Sequence, residues 1–94
     1  MLVKTEESET RRVYKHALTA RQEAWTARNL AVERRSEIAA ALCCSNTRLL
    51  RDGTRVSAHD LVESETALAQ AEVVLATAEE NEAAALRADC GLPP

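Results

Sequence analysis

The sequence has few of the residues that interrupt helices and few that build aromatic binding surfaces. The 94 residues include two glycines, two prolines, one tryptophan, one tyrosine and no phenylalanine. Neither glycine nor proline occurs before Gly53, nor between Gly53 and Gly91. Long stretches without a breaker favour long helices, and the shortage of aromatic side chains argues against an aromatic-rich binding surface.

The chain also lacks a long apolar run. No stretch approaches the roughly 20 apolar residues that cross a bilayer. Glu6, Glu7 and Glu9 follow the short apolar start Met1–Val3, which is unlike the apolar core of a secretory leader. We therefore expect a soluble, cytoplasmic chain with no insertion into a membrane.

Sequence motifs for catalysis and for ligand binding are missing. There is no GxGxxG, phosphate-binding loop, HExxH or CxxC. Neither His16 nor His59 stands three residues after a glutamate, the spacing that four-helix di-iron proteins use. We therefore predict no enzyme activity, no cofactor and no metal.

The three cysteines, Cys43, Cys44 and Cys90, do not form an obvious set. In a hairpin that turns near Gly53, Cys90 would lie roughly 40 Å from the other two, at about 1.5 Å per helical residue. A disulfide needs Cα atoms within about 7 Å of each other. We expect free thiols, and the sequence leaves their role open, with metal binding or redox chemistry as alternatives.

The most informative feature that is present is a split in charge. Residues 10–51 contain nine Lys or Arg and three Glu, whereas residues 57–90 contain one Arg and eight Asp or Glu. Eighteen alanines favour helix throughout. A basic helix and an acidic helix joined by a short turn should fold back on each other. We predict an all-α domain over residues 1–94, a two-helix antiparallel coiled-coil hairpin with helices at about 6–50 and 57–90. The poor helix formers at 43–47 could end the first helix early.

A turn and a helix start can be assigned near the middle of the chain. Asp52-Gly53 is a strong turn signal, since glycine adopts backbone angles that other residues resist. Ser57 is placed to cap the second helix, with Asp60 at the third helical position answering it. Val56 and Leu61 flank the cap as a hydrophobic staple.

The second helix has a regular seam. Leu61, Leu68 and Leu75 repeat every seven residues, and a complementary row is formed by Ser64, Ala71, Ala78 and Ala85. Large and small residues alternating in this way are typical of a closely packed coiled coil.

Antiparallel helices pair residues whose numbers have a constant sum. Val32 with Leu75 and Ala39 with Leu68 both give 107, which centres the hairpin between Gly53 and Thr54. The same sum predicts a charge ladder between the helices. Its two pairs are Arg28 with Glu79 and Arg35 with Glu72. Exposed pairs of this kind fix orientation more than they stabilise, while partial burial of these arginines against a partner is the alternative.

A hairpin with so much alanine in its seam buries little apolar area, which predicts association into a larger bundle. Apolar residues outside the seam form the candidate partner-contact surface: Leu30, Leu50, Val62, Val73, Val74 and Leu86. The favoured function is a non-catalytic protein–protein interaction module, an adaptor or accessory subunit that self-associates as an oligomer or docks on a larger protein.

A second function is weighed on the basic half of the chain. Arg11, Arg12, Lys15, Arg34 and Arg35 could form a face that binds a nucleic acid. The net charge of −3 argues against that partner.

Residues 48–92 resemble the α-helical hairpin of the TolC-like outer-membrane efflux proteins and of the periplasmic adaptor (membrane-fusion) proteins. The resemblance lies in the run LRDGTRVSAHDLVESETALAQAE, residues 50–72, with its Gly turn, Ser cap and spaced Leu and Ala, and in the ending Cys90-Gly91-Leu92-Pro93. It implies hairpins that pack side by side and meet a partner at the tip, where Arg48, Leu49, Gly53 and Ser57 would lie. The spacing from the turn glycine to the capping serine differs by one residue from the pattern of both families, and the chain has neither strand segments nor lipoyl-like halves. The resemblance therefore implies the hairpin shape and the mode of contact. An efflux role remains an alternative.

Overall fold

The computed structural model describes residues 8–44, 48–50 and 52–91, and shows two long helices packed against each other. Helix α1 spans Glu9–Cys44 and helix α2 spans Ala58–Asp89. They run antiparallel and form an extended hairpin of 71 × 31 × 15 Å. The predicted all-α hairpin is confirmed, and its smallest dimension is that of a single layer of helices.

The first helix is shorter than predicted. It ends at Cys44 rather than near residue 50, within the stretch of poor helix formers at 43–47. Leu50 is buried with Val56 against Ile38 and Ala41, near the end of α1. Burial of these two loop side chains under α1 competes with continuation of the helix, which is why α1 ends before residue 50.

The connection between the helices is a tight hairpin loop. Leu49 and Arg55 form an antiparallel bridge. The Leu50 N–H donates to the Thr54 carbonyl at 2.8 Å, and the Gly53 N–H donates to the Leu50 carbonyl at 2.9 Å. Gly53 has φ +87°, the left-handed conformation that a three-residue hairpin loop requires at this position. The predicted turn glycine is therefore at a position where glycine is needed.

Helix α2 begins with a complete capping box. The Ser57 hydroxyl accepts a hydrogen bond from the Asp60 N–H at 3.4 Å, and the Asp60 carboxylate accepts one from the Ser57 N–H at 2.7 Å. Val56, just before the cap, is buried, and Leu61 packs against the same cluster. The first turn of α2 is thus held by both the polar and the apolar contacts that the sequence predicts.

The seam of α2 follows the predicted heptad. Ser64, Ala78 and Ala85 are buried, and the leucine row is partly buried. On α1 the seam is a different pair of rows from the one containing Trp25. Its buried or partly buried members are Tyr14, Ala17, Arg21, Ala24, Arg28, Ala31, Ile38 and Leu42. Arginine therefore occupies seam positions on α1, where a two-helix core would prefer apolar side chains.

Candidate protein interaction surface

Two ion pairs cross between the helices at the end opposite the loop. Arg21 Nε lies 2.6 Å from Glu82 Oε2, and Arg11 Nε lies 2.7 Å from Asp89 Oδ2. The Arg21 and Glu82 side chains are 32% and 21% exposed, so water screens their attraction only in part. Glu82, through its hydrogen bond and its charge, raises the pKa of Arg21.

Sequence reasoning had not paired these residues, although a signal for them was present. Glu82 and Asp89 continue the row of sevens begun by Leu61, Leu68 and Leu75. At the positions that follow the last leucine of this row, a carboxylate occupies the seam and accepts a hydrogen bond from an arginine of α1. An acidic residue in an otherwise apolar heptad row was the signal that could have identified these two ion pairs.

The predicted charge ladder is not brought together in the hairpin. Among the described residues no ion pair joins Arg28 to Glu79 or Arg35 to Glu72. The Arg28 Nε is buried and has no hydrogen-bond partner.

The loop explains the changed register. The bridge between Leu49 and Arg55 centres the hairpin on Asp52 rather than between Gly53 and Thr54. The two residue numbers of an opposed pair near the loop therefore have a sum of 104, and those of the Arg21–Glu82 pair have a sum of 103. The shift comes from a loop with its own hydrogen bonds where the sequence had predicted a continuing helix.

One edge of the seam carries both large apolar residues and acidic ones. With opposed numbers adding up to 104, Trp25 lies level with Glu79, and Val32 lies level with Glu72. We call this edge the tryptophan flank. It is made of Leu18, Trp25, Val32 and Ala39 on α1 and Glu65, Glu72, Glu79 and Leu86 on α2. Trp25 is 51% exposed, so a large ring lies open to solvent on this edge.

The candidate partner-contact surface is exposed with one exception. Leu30, Val62, Val73, Val74 and Leu86 are exposed on the two helices. Leu50 is 8% exposed and belongs to the core cluster under the loop. Its assignment to a contact surface is wrong, because it lies in the loop and turns inward beside Val56.

The loop end forms a polar tip. Arg48, Leu49, Gly53 and Ser57 are all exposed there. Arg48 has φ +55°, unusual for a residue with a side chain, and its carbonyl accepts the Val56 N–H at 2.8 Å. The four residues that the resemblance places at the tip are therefore at the surface, and the partner contact that it implies stays a prediction.

Groups that could support chemistry are sparse in the described part of the chain. Cys43 and Cys90 are exposed free thiols, and Cys44 has no described side chain. No cluster of His, Cys, Asp or Glu suited to a metal ion occurs among the described residues. No described helix has the length and apolar character needed to cross a membrane.

Acidic residues elsewhere in the chain neutralise part of the charge of the basic half. Arg11 binds Asp89, and Arg12 lies 3.5 Å from Glu9. Arg34 and Arg35 lie about six turns farther along α1, toward the other end. These positions do not gather the basic residues into one patch.

In comparisons with known proteins, no protein family, no curated protein and no solved structure matches this chain. The hairpin shape is thus the part of the efflux resemblance that the structure supports.

Proposed function

We propose that this protein is a non-catalytic helical-hairpin interaction module, an adaptor or accessory subunit that associates with itself or docks on a larger protein. The observation that carries the proposal is the number of large apolar side chains left open on the helices. These are Val13, Trp25, Leu30, Val32, Val62, Val73, Val74 and Leu86. Single exposed apolar residues are ordinary, but this many on two helices favours a contact surface.

The core of one hairpin is weak, which supports the need for a partner. The buried residues of the helices are mainly alanines, and none of the large side chains in the described part of the chain is fully buried. Each alanine layer removes little apolar surface from water. Exposed valines on α2 also lower helix propensity without adding burial in the isolated chain.

The surface of the hairpin is large for its mass. Its accessible area is 7272 Å², whereas a folded monomer of this mass exposes about 5,400 Å². Its radius of gyration is 20.1 Å, against about 12 Å for a compact domain of this length. The excess area is of the size that protein contacts cover.

Analytical ultracentrifugation of the purified chain at 1–100 µM tests the proposal, with helicity followed by circular dichroism. We expect a dimer or larger species, with helicity that falls as the protein is diluted. A fully helical monomer across that range would contradict self-association. Absence of any captured protein from the source cells would then contradict docking as well.

A further inference from the structure

We propose that the tryptophan flank is the contact surface for a second copy of this chain, packed face to face on the same flank. The inference rests on the proposed function in its self-associating form, and it adds the face and the occupant. In this dimer Arg28 and Arg35 of each copy pair with Glu72 and Glu79 of the other. The charge ladder of the sequence thus forms between copies rather than within one.

Unused charges are the first reason. Arg28 forms no ion pair among the described residues, and its Nε is buried without a hydrogen-bond partner, so a second copy would reach the outer nitrogens of the guanidinium. No ion pair is present at Arg35, Glu72 or Glu79 among the described residues, and the charge of Glu79 contributes at a distance to the raised pKa of Arg21. Arg28 and Arg35 belong to the seam row that borders the tryptophan flank, and Glu72 and Glu79 belong to the flank itself. Charges of both signs therefore line one edge.

Symmetry makes a second copy a suitable occupant. A two-fold dimer uses the same patch on both partners, so that patch must complement itself. This flank carries an apolar row on α1, an acidic row on α2 and two arginines between them. A two-fold axis parallel to the helices lays α1 of each copy over α2 of the other. The arginines of each copy then meet the glutamates of the other copy at two equivalent places, and Trp25 lies over α2 of the other copy.

The dimensions agree with this arrangement. The hairpin is 15 Å thick, a single layer, and domains are built from at least two packed layers. From Leu18 to Ala39 the flank is about 32 Å long and two helices wide, a footprint of roughly 600 Å² per copy. Standard interfaces bury about 800 Å² per partner, so a second hairpin on this face is of the right size.

Trp25 is the expected anchor of the contact. Buried tryptophans at the centre of an interface cost about 2 kcal/mol or more when truncated, which is roughly a 30-fold rise in Kd. We expect Trp25→Ala to raise the dimer Kd by at least that factor in sedimentation equilibrium. Leu30→Ala is the matched control, because Leu30 is 60% exposed on another face of α1. Equal effects of the two variants would overturn the proposal.

A charge exchange between copies tests the ladder directly. One variant carries Arg28→Glu and Arg35→Glu, and the other carries Glu72→Arg and Glu79→Arg. Each alone repels its own copy and should dissociate, whereas an equimolar mixture should restore a dimer with wild-type affinity to within a few-fold. If a variant alone loses helicity, recovery of helicity on mixing gives the same result. No recovery on mixing would overturn pairing between copies.

The two levels of the proposal fail differently. A monomeric wild-type protein would contradict self-association and this dimer together, leaving only docking on another protein. A wild-type dimer that is insensitive to Trp25→Ala and to the charge exchange would leave self-association intact and show that another face is used.

Discussion

At the scale of single residues, Ser57 and Asp60 determine where the return helix begins. Each side chain satisfies the backbone N–H of the other. Val56 beside them is 3% exposed, so the chain enters α2 at a fixed angle. Few contacts hold the loop end, and loss of one of them should be measurable.

Replacing Ser57 by alanine should lower the free energy of unfolding by about 1 kcal/mol, because the Asp60 N–H loses its acceptor. Urea unfolding followed by circular dichroism, at one fixed protein concentration, measures the change. Ser36→Ala is the control, since Ser36 is exposed and lies inside α1, about two turns before its end. A cap variant as stable as the control would contradict the role assigned to Ser57.

Asp52 makes the loop sensitive to acid. Thr54, through its side chain first and then its backbone N–H, lowers the pKa of the Asp52 carboxyl below 3.8. The Thr54 N–H donates to Asp52 Oδ1, with 2.9 Å between the nitrogen and the oxygen. A lowered pKa means that the carboxylate contributes stability above pH 3.8 and loses it as pH falls through the folded value.

We therefore expect the Asp52 carboxyl to titrate below pH 3.8 in the folded protein when followed by NMR. In Asp52→Asn, stability should fall less than in the wild type as the pH is lowered below 3.8, because the charge that is lost on acidification is already absent. Equal acid sensitivity of the two proteins would show that the Thr54 hydrogen bonds do not favour the charged form.

At the scale of helices, the seam is a close contact of small side chains with two ion pairs in the half away from the loop. Ala24 and Ala78 are 6% and 7% exposed. Small residues allow the two backbones to approach, and that spacing places Arg21 beside Glu82. The seam therefore tolerates added volume poorly.

Ala24→Leu should lower the free energy of unfolding by about 1–3 kcal/mol, because the larger side chain forces the helices apart. Ala40→Leu, on the exposed side of α1, adds the same volume where there is room. Thermal unfolding of both variants measures the difference. A stabilised Ala24→Leu would mean that the seam has unfilled space.

The Arg21–Glu82 pair should show coupling in a double-mutant cycle. Arg21→Gln and Glu82→Gln each leave a partly buried charge unpaired. The double variant should therefore lose less free energy of unfolding than the sum of the losses in the two single variants. Arg12→Gln is the control, since Arg12 is exposed and its contact with Glu9 is at 3.5 Å. Simple additivity would indicate that water screens the pair completely.

The parts of the hairpin that follow from local signals could be predicted from the sequence. The loop glycine, the capping box at Ser57 and the α2 seam depend on neighbouring residues or on a clear repeat, and all three are present. The poor helix formers at 43–47 indicated that α1 could end early, but the burial of Leu50 under α1 is a contact between loop and helix that no local pattern records.

The same contact limits what could be said of the site. Moving the end of α1 moved the register, and the register determines which charges are opposed. The exposed valines of α2 could be identified because nothing in the seam pattern uses them. Any contact that they make with another molecule would depend on that molecule as well, so it could not be predicted from local patterns in this chain.

At the scale of the whole molecule, the hairpin is long, thin and open on both faces. Its longest dimension is 71 Å and its shortest is 15 Å. A second hairpin laid on the tryptophan flank adds thickness and leaves the length nearly unchanged if the two copies overlap fully.

Small-angle X-ray scattering of the associated species should therefore give a maximum dimension near that of one hairpin, with a cross-section about twice as thick. Association through the loop tips, as the efflux resemblance implies, would instead nearly double the length. A measured length close to twice that of one hairpin would favour the tips over the flank.

The bonds at the far end of the hairpin have a practical consequence. Thr10 and Arg11 both donate to the Asp89 carboxylate, which keeps the start of α1 beside the end of α2. Spin labels can be attached to a cysteine introduced at Ser8 and to the exposed thiol of Cys90, once Cys43 and Cys44 are replaced. The distance between the two labels would measure the separation of the helices at the end away from the loop. Any event that separates the two helices at this end would appear as an increase in the distance between the labels.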